Sequence, residues 1–221
     1  MLCSRELVRQ KRGSCRCLVD DNNSMTIPVS IAVEGDLDSA VARRIVQCCS
    51  GQAASIYGLR GKPHLLQSLR GYNRAAIRQP WFVMVDLDQS APCAGQFVRD
   101  TLPEPSPYMC YRVCTRQVES WLLADATRFA SAFGLRTRRI PARPDTLTDA
   151  KAALVNLCSQ SSRRDIREMI VPTPQSLRRV GVGYNGILSN FALSEWDPIE
   201  AATRSPSLAK CIARVRGLVQ G

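Results

Sequence analysis

The sequence predicts an α/β fold, a mostly parallel sheet with helices on both faces, followed by a basic helical lobe. Three observations predict it. Short apolar runs of strand length recur at 28–33, 53–57, 81–85 and 108–113, and each is followed by a stretch with helical spacing. The run Trp81-Phe82-Val83-Met84-Val85 is uninterrupted, which suits a strand buried on both sides at the middle of a parallel sheet. Beyond Asp125 only helical patterns remain, interleaved with arginines. Strands alternating with helices make a doubly wound sheet, and the helical remainder packs on it as a lobe.

The elements follow in order. Residues 1–26 read as a basic lead-in arm: Arg5 to Arg16 is rich in Arg and Lys, and Asp20-Asp21-Asn22-Asn23-Ser24 is a turn signal. Residues 27–125 form the α/β domain. Pro28 is tolerated at the start of the first strand. A helix opens at Asp38-Ser39 and runs to about Cys49, with Leu37, Val41, Ile45 and Cys48 on one face and Gly51 ending it. Ala53 to Tyr57 is the second strand, Gly58 to Lys62 a loop, and Pro63 sits in the first turn of a helix reaching about Arg78. After the third strand come a short helix near Gly95 to Leu102, an extended Pro-rich connector from Pro103 to Pro107, the fourth strand, and a helix from Gln117 to Asp125. The lobe, 126–221, carries helices at Ala126–Phe133, Asp145–Ser159, Asn185–Phe191 and Leu208–Val219. Gly181-Val182-Gly183-Tyr184-Asn185-Gly186 lacks a preceding strand and a phosphate-binding lysine, so it reads as a loop.

Charge narrows the partners. The chain has 221 residues, 30 Lys plus Arg against 19 Asp plus Glu, and a formal net charge of +11. Nearly all the cations are arginines, whose planar fork matches phosphate oxygens, so DNA or RNA is the expected partner. No apolar run approaches the length of a membrane span. The ten cysteines have neither a signal peptide ahead of them nor zinc-ligand spacing, so they are expected to be small buried hydrophobes of a cytoplasmic protein.

The chemistry concentrates at strand ends. Glu34-Gly35-Asp36-Leu37-Asp38 follows the first strand and Asp86-Leu87-Asp88 ends the third. In an open parallel sheet, ligands bind at the carboxyl ends of strands. With the first and third strands paired about 4.8 Å apart, Glu34, Asp86 and Asp88 converge. Like charges about 4 Å apart repel by roughly 4 kcal/mol per pair at an effective dielectric near 20, which favours either raised pKa values or a bound cation. An all-carboxylate site without histidine selects Mg2+, with Mn2+ as the alternate ion. Each motif alone is also explained by acids complementing helix N-termini; their occurrence together in one β-α-β-α-β pattern favours the site. His64, the only histidine, reads as a surface or helix-start residue.

Glu-Gly-x-x-Asp at 34–38 and Asp-x-Asp at 86–88 resemble the TOPRIM domain of topoisomerases, primases and the overcoming-lysogenisation-defect nucleases. Glu119-Ser120-Trp121-Leu122-Leu123-Ala124-Asp125 is similar to the Glu-x-Trp-Leu-Leu-x-Asp signature of a bacterial TOPRIM-like family catalogued as a domain of unknown function and often encoded beside an ATPase. The resemblance implies a Mg2+-dependent endonuclease, with Glu34, Asp86, Asp88 and Glu119 as metal ligands and Asp38 supporting. Lys62 and Arg116 become candidates for stabilising charge on the phosphate. It also implies an ATPase partner, as in bacterial anti-phage systems, and is compatible with a homo-oligomer. The competing expectation is a non-catalytic nucleic-acid-binding or regulatory subunit of such an assembly. Asp125, six residues from Glu119, lies off that face of an ideal helix and is expected to cap the next one, with Trp121, Leu122 and Leu123 in the core.

Overall fold

The computed structural model describes residues 28–87, 92–115 and 117–220. The lead-in arm, Asp88 and Arg116 lie outside the described residues. Four strands, β1 (Val29–Val33), β2 (Ala53–Gly58), β3 (Trp81–Asp86) and β4 (Met109–Cys114), form one sheet in the order β2-β1-β3-β4 with every pairing parallel. β1 and β3 pair directly, Ile31 opposite Phe82, so the two acid-bearing ends lie side by side as expected.

Side-chain alternation splits the core between the two faces. On one face Ile31, Val33, Phe82, Met84, Cys110 and Cys114 meet α1 (Asp36–Cys48) and the later helices. On the other, Ala32, Val83, Val85, Tyr111 and Val113 meet α2 (Lys62–Ala75) and α3 (Ala94–Thr101). α1 begins at Asp36, earlier than the expected Asp38, because the extended Gly35 already breaks the strand and serves as N-cap. That places Asp38 inside the first turn. Gly58 ends β2 at φ +88°, and a Cβ there would stand 2.2 Å from the Val33 carbonyl oxygen; only glycine lets β2 close so tightly on the end of β1.

The remaining helices are α4 (Glu119–Ala124), α5 (Ala126–Ala132), α6 (Ala150–Cys158), α7 (Arg164–Ile170), α8 (Tyr184–Ser194), α9 (Pro198–Ala202) and α10 (Pro206–Gln220). The helix expected across Asp145–Ser159 is divided: Pro144–Thr146 is a 3-10 turn, and α6 starts only where Asp149 caps it by accepting the Ala152 N–H at 2.9 Å. Asp145 instead holds the start of α10, accepting from the Ser205 hydroxyl and the Ser207 amide. α7 and α9 are too short to show a period in sequence. The Gly-rich stretch read as a loop runs directly into α8.

The lobe does not have a separate core. Trp121, Trp196, Tyr184, Leu188 and Leu208 belong to the same apolar cluster as Val29, Ile31 and Phe82, and α1 packs against α8 and α10. Cys49, Cys110, Cys114, Cys158 and Cys211 are buried, as expected of small hydrophobes; Cys48 is half-buried, and Cys93 is exposed and caps α3. No helix among the described residues is long and apolar enough to cross a membrane.

A candidate acid cleft at the carboxyl edge of the sheet

Five carboxylates line one cleft of about 210 Å³: Glu34 after β1, Asp36 and Asp38 in the first turn of α1, Asp86 at the end of β3 and Glu119 at the start of α4; Asp36 is exposed at its rim. Lys151 and Asn185 complete its wall. Glu34 is fixed by its neighbour strand, its Oε1 accepting the Asp86 backbone N–H at 2.8 Å. The loop after β2 closes behind it, with the Gly61 N–H donating to the Glu34 carbonyl at 3.0 Å.

Glu119 is buried at 1% exposure. Its Oε1 accepts from the Tyr184 hydroxyl at 2.8 Å and pairs with Lys151 Nζ at 3.1 Å, while Oε2, also buried, has no hydrogen-bond partner among the described residues. The Lys151 ammonium also lies over the Tyr184 ring, 5.4 Å from its centroid. Burial opposes the charge on Lys151, but Glu119, with Asp86 and Asp38 behind it, outweighs that and holds its pKa above the ordinary lysine value. Burial, then the charges of Glu34 and Glu119, push Asp38 up to about 7, with Lys151 opposing. Burial and the nearby Glu119 likewise raise the Tyr184 phenol, so it stays a donor.

Lys62 is the first residue of α2, not a loop residue, and its Nζ donates to the main-chain oxygens of Asp86 and Leu87, the latter at 3.2 Å. It therefore braces the end of β3 beside the cleft. Asp125 is separated from the cleft, as expected: fully buried, it caps α5 through the Arg128 N–H and accepts the Asp197 N–H at 3.0 Å. His64 lies in the first turn of α2. Asp88 and Arg116, both expected near the site, fall outside the described residues.

Lys151 and Tyr184 were not anticipated. Lys151 left one signal in the sequence: a lysine two residues after a capping Asp149, where a helix N-terminus disfavours positive charge. Tyr184 is seated by Gly181 and Gly183. A Cβ on Gly181 would lie 2.3 Å from the Met169 carbonyl oxygen, and one on Gly183 would lie 2.6 Å from the Met169 methyl, so the chain crosses the end of α7 only as glycine.

Comparison with family models, curated proteins and solved structures finds no match.

Carboxylate oxygens are the donors a hard divalent cation takes, and a buried Glu119 oxygen lacks a hydrogen-bond partner among the described residues, but Lys151 and Asn185 share the lining. Among the described residues, no group of three or more such side chains is already gathered to ligand distance. The reason is visible in their bonding, since Glu34 is drawn to the Asp86 amide and Glu119 to Tyr184 and Lys151.

Asp38 makes one consequence measurable. Its folded pKa exceeds the unfolded value of 3.8, so the stability it contributes is present below about pH 4 and lost as pH rises through about 7. Urea unfolding in chelator should show wild type losing on the order of 2–4 kcal/mol relative to Asp38→Asn across that window. Parallel stability curves for the two proteins would show that Asp38 ionises normally.

Proposed function

We propose that the protein is a Mg2+-dependent nuclease that cleaves nucleic-acid phosphodiesters. The single observation that supports this best is the meeting of Glu34, Asp38, Asp86 and Glu119 at the carboxyl edge of a parallel sheet. In this reading Glu34, Asp86 and Glu119, with Asp88, hold the ion, and Asp38 supports them. Bound there, magnesium or manganese supplies charge neutralisation on the phosphate and an activated water. Lys151 offsets the charge of the acids and presents a cation toward an incoming phosphate. Lys62 keeps the Asp86–Leu87 main chain, and hence the Asp86 carboxylate, in place. Together with the TOPRIM resemblance of the acid motifs, this reading extends to an effector of a bacterial anti-phage system, cytoplasmic and governed by an ATPase partner.

The basic lobe supports contact with DNA or RNA, although not through every arginine. Arg163 pairs with Asp165, Arg164 with Glu168 and Arg179 with Asp149. Arg136, Arg138, Arg143 and Arg178 have no ion-pair partner among the described residues and are the better candidates for phosphate contacts. One observation favours the second reading, a binding or regulatory subunit without turnover: Lys151 already neutralises Glu119 without a metal.

The two readings separate in one experiment. Labelled DNA and RNA are incubated with the purified chain, with and without the partner, in Mg2+, Mn2+ and chelator. Divalent-dependent cleavage is expected; binding without cleavage under all of these conditions would establish the subunit reading instead. Binding measured against salt should fall with a log–log slope of about −0.7 to −0.9 per phosphate contacted, and a flat response would remove nucleic acid as the partner.

A further inference from the structure

A larger concavity than the acid cleft, a groove of about 690 Å³, runs beside β4. Consecutive residues Tyr111, Arg112 and Val113 all line it. Side chains alternate between the two faces of a strand, so a hollow touching three in a row lies along the strand's edge and not on one face. Among the described residues β4 is an edge strand, paired only with β3.

The direction of its backbone groups follows from the pairing. The Trp81 N–H donates to the Tyr108 carbonyl and the Leu87 N–H to the Cys114 carbonyl, so even-numbered residues face β3 and Met109, Tyr111 and Val113 face outward. The Met109 N–H is taken by the Ser106 carbonyl in a turn. The N–H and C=O of Tyr111 and Val113 have no backbone partner among the described residues. An open edge of this kind is a template for another strand, and proteins normally blunt one.

The groove's walls differ in chemistry. Ala94 and Val98 of α3 and Leu102 just beyond it line one side; α10 lines the other with Ser207, Lys210 and Arg214. Arg99 and Arg112 add two further cations. The one acid in the lining, Asp145, is occupied by Ser205 and Ser207.

We propose that an extended acidic segment of a partner protein adds to β4 as a fifth strand, its apolar side chains against α3 and its carboxylates against Lys210, Arg214 and Arg112. Outward main-chain groups at strand spacing match a peptide backbone, which a nucleic-acid strand cannot reproduce. The cations select the acidic sequence. This inference does not rest on the nuclease reading.

The test is fluorescence anisotropy on the full chain with a labelled peptide alternating Val and Glu. Saturable, salt-sensitive binding is expected, and the Val–Lys counterpart should not bind. N-methylating the peptide amides of one alternating frame should cost about tenfold or more, and the other frame much less, because only one frame faces β4. Lys210→Glu combined with Arg214→Glu, both exposed and away from the core, should weaken binding by about tenfold. Absence of saturable peptide binding, or equal loss in both N-methylated frames, overturns the proposal. So does a labelled single-stranded oligonucleotide that depends on Lys210 and Arg214 while the peptide fails, an outcome that makes the groove a nucleic-acid surface.

Discussion

Asp86→Asn and Glu34→Gln should each lower divalent-dependent cleavage by about 10²- to 10³-fold while leaving the protein folded. Both exchanges keep the shape of the side chain and remove one charge. In Glu34→Gln the amide oxygen can still accept the Asp86 N–H that fixes the strand ends, so the change isolates charge from architecture. Asp88→Asn belongs in the same series, because its motif pairs it with Asp86. Thermal unfolding within a few degrees of wild type is the control. Undiminished cleavage by a folded Asp86→Asn protein would remove the acid cleft as the site, whatever the fate of the peptide groove.

The largest effect on stability is expected from Trp121→Ala. Trp121 is completely buried, its Nε1 donates to the Ser207 hydroxyl at 2.7 Å, and its carbonyl accepts from the Trp196 indole at 3.2 Å. Truncation therefore opens a cavity where α4, α9 and α10 meet and orphans the Ser207 contact. A loss of about 3–5 kcal/mol is expected, a large share of the stability of a typical domain. Denaturant unfolding measures it directly, and a loss below about 1 kcal/mol would mean the surrounding helices collapse into the space.

What was legible in the sequence followed local rules. Apolar runs placed all four strands, because a central parallel strand such as β3 must be apolar on both faces. Glu34 and Asp86 could be placed together because strand ends inherit the register of the strands, and Ile31 does lie opposite Phe82. Asp125 separated from the site because a helix turns it away and the next helix needs a cap. What was missed depends on contacts far apart along the chain. Lys151 and Tyr184 meet Glu119 across 32 and 65 positions in sequence, a relation no local period encodes. The division of the helix before α6 was hidden because Asp145 is committed to Ser205 and Ser207, sixty positions on. The lobe's arginines read as one basic field, yet several are spent on neighbouring acids.

The crossing of Gly181 over the Met169 carbonyl has an implication for how this chain can vary. Acids supplied by the first half of the sequence receive their counter-cation and their phenol from the second half, and the phenol arrives through a passage wide enough for hydrogen alone. Residue 125 is therefore no seam for a chimera: a second half grafted there from another protein would hand Glu119 a different lysine, or none.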